Sequence, residues 1–157
     1  MPIIHIKTFI NADPLTCFNA SRSIDIHMQS MEHTGEQAVA GRATGLIELN
    51  ETVTWKAKHF GIWWGMTVKI TKMDSPHSFT DKMLRGPFSY MQHTHEFIPE
   101  GDGTLMIDKF EYGSFLGIIG MLADIVFVKC YMTKLLTSRN ECIKHECETS
   151  IKNIHTV

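Results

Sequence analysis

Apolar and polar residues alternate in a series of segments from residue 44 onward, as they do in strands that bury one face. Short links separate these segments, including Asn50-Glu51 and the glycine-rich turn at 100–103. Strands joined by such short links pair antiparallel, because parallel pairing needs a long crossover. A β-branched, apolar segment at 3–10 comes earlier and predicts a first strand. The six later strands are predicted at 44–49, 52–60, 64–73, 79–84, 88–98 and 104–112.

Two short helices are predicted between the first strand and the rest of the sheet. Asp13 suits an N-cap and Pro14 suits the first helical position, which predicts a helix over 14–20. Ser23 is in turn a suitable N-cap for a second short helix that ends near Met31.

The last third of the chain has the spacing of one long helix, over about residues 118–149. Apolar residues recur three and four positions apart, at 122, 125, 128, 132, 135, 136 and 143. Four basic residues fall mostly off this stripe, at Lys129, Lys134, Arg139 and Lys144. The apolar run 115–128 is shorter than the roughly 20 residues of a membrane span and contains Asp124, so it is interpreted as a buried helix start. The stripe needs a broad apolar partner, and the sheet is the candidate.

Composition narrows the classes of function. The 157 residues, 43% hydrophobic and 20% charged, fit one globular domain over 1–157. A net charge of −2 without a clustered basic face argues against nucleic-acid binding. The four cysteines form no C-x-x-C pair and the N-terminus lacks a signal-peptide pattern, so we expect reduced thiols and a cytoplasmic location. No integral membrane segment is expected, and the oligomeric state stays open.

Several short segments resemble, in the same order, those of bacterial ligand-binding proteins of the SRPBCC superfamily, the START and Bet v 1-like group. They are Glu51–Gly61, Phe79–Asp81, Gly86–Phe88, His93–Phe97, Gly103–Asp108 and Phe115–Gly117. The bacterial polyketide cyclase/dehydrase-like subgroup is the most similar. One departure is Gly113-Ser114, where a proline is expected in the turn after the last strand, and it leaves the entry into the long helix open.

The resemblance implies an α+β helix-grip fold. In it, a curved antiparallel sheet of about seven strands, two short helices and a long C-terminal helix enclose a cavity. Members of this superfamily bind lipids, polyketides, plant hormones or quinones, and a minority act as cyclases or aromatases.

Strand parity selects the side chains that face the helix, because alternate residues share one face. The selected faces are mostly apolar and aromatic but also carry histidines and aspartates, which is the composition of a ligand pocket. The predicted ligand-binding residues are Trp55, His59, Met66, Phe79, Asp81, Met91, His93, His95, Asp108 and Phe110 from the sheet, with Leu122 and Met132 from the helix.

Three interpretations of the polar residues on this face stay open. In the first, they pair with one another, since unpaired buried ionisable groups are costly. In the second, they orient a ligand. In the third, they bind a metal ion or take part in catalysis. His93 and His95, two apart on one face, would suit zinc together with His59 and an aspartate. No resident metal or cofactor is expected, however.

The leading function is binding of a hydrophobic or amphipathic small molecule, such as a lipid, a quinone or a polyketide-like compound. The alternative is a cyclase or dehydratase in which His93 or His95 acts as base with Asp108 as partner. A further alternative is a protein-interaction or stress-regulatory module. Whether the chain is an enzyme is left open, with a binding protein favoured.

Overall fold

The computed structural model describes residues 2–113 and 127–154, with side chains described as far as residue 150. Seven strands form one curved antiparallel sheet in the order β1-β7-β6-β5-β4-β3-β2. The predicted antiparallel series is confirmed for β3 to β7, since each strand pairs with the next along the chain. The strands are β1 (Ile3–Ile10), β2 (Gln37–Gly41), β3 (Thr52–His59), β4 (Ile62–Asp74), β5 (Ser78–Arg85), β6 (Tyr90–Glu100) and β7 (Gly103–Gly113).

Two short helices follow β1, and the predicted residues cap them. Helix α1 (Pro14–Ser21) begins after Asp13, whose carboxylate accepts a hydrogen bond from the Thr16 N–H at 3.0 Å. Helix α2 (Ile24–Ser30) begins after Ser23, whose hydroxyl accepts from the Ile26 N–H at 3.3 Å. A single 3-10 turn, Glu32–Thr34, leads from α2 to β2.

The predicted strand at 44–49 is wrong. The edge strand that pairs with β3 is β2, and residues 44–49 pair with the junction of the two short helices. Arg22 causes this, because its guanidinium donates to the Ile47 carbonyl at 3.2 Å and to the Glu48 carboxylate at 2.6 Å. The backbone N–H of Ile47 donates in return to the Arg22 carbonyl at 3.1 Å. These bonds take up backbone groups that a sheet partner would need.

The long helix, α3 (Lys129–Ile154), extends beyond its predicted end, while residues 118–126 of the prediction lie outside the described residues. It packs against β1, α1 and α2. Its second half joins a solid core, in which Ile143 is 1% exposed and Phe18 meets Phe79 and Phe97 edge-on at 5.6 Å. Among the described helices, none is both long and apolar enough to cross a membrane.

The predicted parity of the strands is confirmed. Alternate residues are buried along the central strands, as in β6 with Met91, His93, His95 and Phe97. The concave face of the sheet therefore carries the polar residues selected from sequence, turned toward α3.

Candidate ligand cavity

A cavity of about 700 Å³ lies between the concave face of the sheet and the first half of α3. Its walls are largely apolar and aromatic, because β3 to β6 turn their buried faces toward it and α3 adds its apolar stripe. The apolar lining includes Ile24, Met31, Ile47, Val53, Trp55, Ala57, Met66, Val68, Ile70, Phe79, Phe88, Met91, Phe110, Val128, Met132, Leu135 and Leu136.

Most of the residues selected from sequence line this cavity. They are Trp55, His59, Met66, Phe79, Asp81, Met91, His93, His95, Phe110 and Met132. Asp108 does not reach the cavity, because it is 0% exposed and is enclosed by the other polar side chains. Leu122 lies outside the described residues. That these side chains hold a ligand stays a prediction.

Asp108 is the centre of a buried polar cluster. Its Oδ1 accepts a hydrogen bond from His93 Nε2 at 2.9 Å, and its Oδ2 accepts from Asn140 Nδ2 at 2.6 Å. Nδ1 of His95 lies 2.7 Å from Oδ1 but is not aligned as a hydrogen bond, so this contact is a charge interaction. Arg139 Nη1 lies 3.7 Å from the same oxygen.

Neighbouring strands bring the remaining members of the cluster together. Asp81 on β5 is opposite His93 on β6, and its Oδ2 lies 3.4 Å from His95 Nε2. The ring of His95 stacks on Phe79 with centroids 4.2 Å apart, which fixes the orientation of its imidazole. Arg139, 4% exposed, reaches across from α3 and donates to the Ser21 carbonyl at 2.9 Å.

Solved structures of other proteins share this architecture, although no family model and no curated protein matches the chain. TTHA0849 from Thermus thermophilus superposes with a TM-score of 0.77 over 95% of this chain and 99% of its own, at 18% identity. A START superfamily protein from Mycobacterium smegmatis gives 0.71 over 94% and 97%, at 13% identity. The major latex-like protein 151 of Panax ginseng gives 0.64 over 93% and 97%, at 14% identity.

This chain has the helix-grip fold of the START and Bet v 1-like proteins. The fold expected from the sequence resemblance is thereby confirmed. At these identities the likeness shows the fold alone, and the chemistry of this cavity follows from its own side chains.

Burial and the neighbouring charges set the protonation of the cluster. Desolvation, with the adjacent His95, lowers the pKa of His93 to about 4, so His93 is neutral at pH 7. Burial alone would lower the pKa of His95 as well, but the Asp108 and Asp81 carboxylates raise it. The charge of His95 and the hydrogen bond from His93 hold the pKa of Asp108 well below its usual range, although burial opposes this.

Both carboxylates of the cluster have neighbours that favour their charge. Asp81 and Asp108 are ionised, and they lie beside the guanidinium of Arg139 and the imidazole of His95, whose pKa they raise. Neutral His93 adds no charge and uses Nε2 for Asp108. Its other ring nitrogen, Nδ1, makes no hydrogen bond to another described residue, and His93 is one of the residues that line the cavity.

Sequence reasoning missed the contribution of α3 to this cluster. Arg139 was placed off the apolar stripe, yet it is buried at the cavity wall, and Asn140 beside it was not selected. A signal was available, because Arg139 lies four positions from both Leu135 and Ile143 and so shares their face of the helix. The charge of Arg139 is tolerated in this buried position because the Asp108 carboxylate lies 3.7 Å away.

Aromatic residues surround the cavity where it meets solvent. Tyr131 on α3 is hydrogen-bonded through its hydroxyl to His59 Nδ1 at 2.7 Å, and burial lowers the pKa of His59. Phe60 lines the cavity although it is 61% exposed, and its ring lies 4.5 Å from that of Tyr131. Trp64 lines the cavity too, whereas Trp63 points outward beneath the Lys56 ammonium.

Proposed function

We propose that the protein binds a hydrophobic or amphipathic small molecule, of the size of a lipid chain, a quinone or a polyketide, in the cavity. The observation that supports this most is an interior space of about 700 Å³ with apolar walls and one polar cluster. Ligand pockets of proteins have volumes of about 300–1,000 Å³ and this same composition. Each Å² of apolar ligand surface removed from water contributes about 25 cal/mol, so such a guest binds without any strong polar contact.

The polar cluster favours an amphipathic guest. His93 and Asp81 lie at the wall, where a hydroxyl or carbonyl group of the guest would meet them. The buried Asp108 holds the His93 ring from behind and is itself held by Asn140, which fixes the orientation of the polar group proposed to recognise the guest.

Native mass spectrometry of the purified protein tests the proposal by detecting a retained guest. Displacement of a fluorescent fatty acid by lipids, quinones and aromatic polyketides then measures affinity. Ala57→Trp fills the cavity from β3 and should abolish saturable binding, whereas Lys58→Trp, on the outer face of the same strand, should preserve it. Absence of any retained guest and of saturable binding across the panel would contradict the proposal.

A second candidate, a cyclase or dehydratase, is supported by the His93–Asp108 pair at 2.9 Å. An imidazole at a cavity wall, oriented by a carboxylate, is the arrangement of a general base. Incubation with activated carbonyl substrates in deuterated water measures exchange at the carbon next to the carbonyl. His93→Gln should abolish exchange at saturating substrate, even though it also changes the polar contact with the guest, and equal rates for both proteins would eliminate this function.

We also propose that the chain works in the cytoplasm. All four of its cysteines are free thiols, and Cys17 and Cys147 are buried. Reduced thiols are typical of that compartment. Fractionation of cells that express the tagged chain tests this, and recovery with an extracellular fraction would contradict it.

A further inference from the structure

We propose that Asp81, His93 and His95 form a binding site for a divalent transition-metal ion, with Zn²⁺ the best match, in the wall of the cavity. One ring nitrogen of each histidine and one carboxylate oxygen of Asp81 lie within 4.8 Å of one another. Two imidazoles and a carboxylate are a common protein ligand set for zinc with one coordination position left open. The metal site does not require that the cavity hold a hydrophobic guest, so each proposal can be confirmed or refuted without the other.

The sheet fixes the relative positions of the three ligands. His93 and His95 share the inner face of β6, and Asp81 is opposite His93 on β5. Asp81 Oδ2 and His95 Nε2 are 3.4 Å apart, which is long for a hydrogen bond. Two ligands at about 2.0–2.1 Å from one tetrahedral ion are separated by about 3.3 Å. The observed spacing therefore fits a shared ion better than a direct bond.

Asp108 supports the two histidines from behind. It contacts Nε2 of His93 and Nδ1 of His95, which leaves the second nitrogen of each ring for coordination. Histidines that bind metals almost always direct their other nitrogen to a carboxylate or carbonyl. Asn140 in turn holds the second oxygen of Asp108 at 2.6 Å. Asp108 thus holds the His93 ring by a hydrogen bond and attracts His95 by charge, while stacking on Phe79 fixes the orientation of the His95 ring.

The charges of the wall also suit a cation. Asp81 and Asp108 provide two negative charges and Arg139 one positive charge. An ion that enters would lie beside these carboxylates, in a wall of the cavity that all three proposed ligands line. A guest with an oxygen atom would then meet a Lewis acid at this wall.

Titration of the chelator-treated protein with Co²⁺ tests the site. We expect one equivalent to bind with the intense visible absorption of tetrahedral cobalt, and Zn²⁺ to displace it. Asp81→Asn and His95→Gln should each weaken Co²⁺ binding at least tenfold, and Asp108→Asn should weaken it by about 10- to 100-fold. The control His145→Gln changes an exposed histidine on α3 and should bind as the wild type does.

Several outcomes would overturn the site. One is no stoichiometric binding of Co²⁺ up to millimolar concentration, and another is unchanged affinity in both Asp81→Asn and His95→Gln. A thiolate-to-cobalt charge-transfer band would place the ion on a cysteine instead. Circular dichroism checks that each variant folds; Asp81 is the more accessible ligand, with 14% of its side chain exposed, so Asp81→Asn decides if His95→Gln does not fold.

Discussion

Two apolar residues on one face of α3 test whether the interior is hollow. Leu136, 5% exposed, lines the cavity, while Ile143, two turns further along, is 1% exposed and lies in the solid core. Each loses three carbon atoms on replacement by alanine. The two substitutions thus match in helix face and in the number of atoms removed. They differ in what each side chain packs against, which is the cavity for Leu136 and close-packed side chains for Ile143.

The expected loss in the free energy of unfolding is the sum of two parts. One is the transfer free energy of the removed carbon atoms, and the other is the cost of the cavity that they leave. Truncation of a buried Leu or Ile to Ala costs about 2–5 kcal/mol, and the cost rises by about 24 cal/mol per Å³ of cavity left behind. Ile143→Ala opens a new cavity in close-packed surroundings and should cost about 4 kcal/mol. Leu136→Ala only enlarges a space that exists already, so its loss should be near the transfer term alone, about 2 kcal/mol.

Urea unfolding followed by tryptophan fluorescence measures both losses, with unchanged m-values as the check that each transition stays two-state. We predict that Ile143→Ala lowers the free energy of unfolding by about 2 kcal/mol more than Leu136→Ala does. Equal losses, or a larger loss for Leu136→Ala, would mean that the protein is as closely packed at Leu136 as at Ile143. The cavity would then be absent in solution, and the ligand-binding proposal would lose its main support.

Three further predictions concern the fold and the cluster. Gly41→Ala should lower stability by about 1–3 kcal/mol in a thermal melt, because Gly41 has a φ of 75° and its added Cβ would collide with the Thr52 carbonyl. Asn140→Leu should cost about 1.5–3 kcal/mol in urea unfolding, because Asp108 loses a charge-assisted bond of 2.6 Å; an unchanged midpoint would contradict this role. His59 has a folded pKa below that of the unfolded chain, so protons bind the unfolded state first. Acidification through and below pH 6.5 should therefore destabilise the wild type more than His59→Gln, and parallel pH curves would refute this.

The central sheet and its inner face could be predicted because strand periodicity is a local property. Once β5 and β6 are identified as adjacent antiparallel strands, their register brings Asp81 beside His93. Each of these residues was selected from the alternation of apolar and polar positions, without knowledge of any contact. That is why the polar side chains of the sheet were found and their orientation toward α3 was correct.

The errors arose where long-range contacts decide the structure. Residues 44–49 alternate weakly, and Arg22, more than twenty positions earlier, holds them away from the sheet. From sequence alone an arginine is expected at the surface, and the Asp108 carboxylate that lies 3.7 Å from Arg139 comes from a distant strand. Asp108 shares its face with the cavity-lining residues, yet the side chains around it enclose it completely. The helical spacing of Arg139 indicates its face, but the partners that decide these arrangements are distant in the chain.

The cavity explains why the buried cluster can carry the charge of Asp81, and that charge in turn limits which guests the cavity favours. Asp108 is wholly enclosed and has close partners in His93, His95 and Asn140, so its charge needs no solvent. Asp81 makes a longer contact, 3.4 Å to His95, and its charge is tolerated because part of its side chain faces the cavity. A purely hydrocarbon guest would remove water from that carboxylate and offer nothing in return, which is costly for a charged group. A hydroxyl group or a metal ion at the same wall would satisfy it, so the cluster favours guests that carry a polar group at one end.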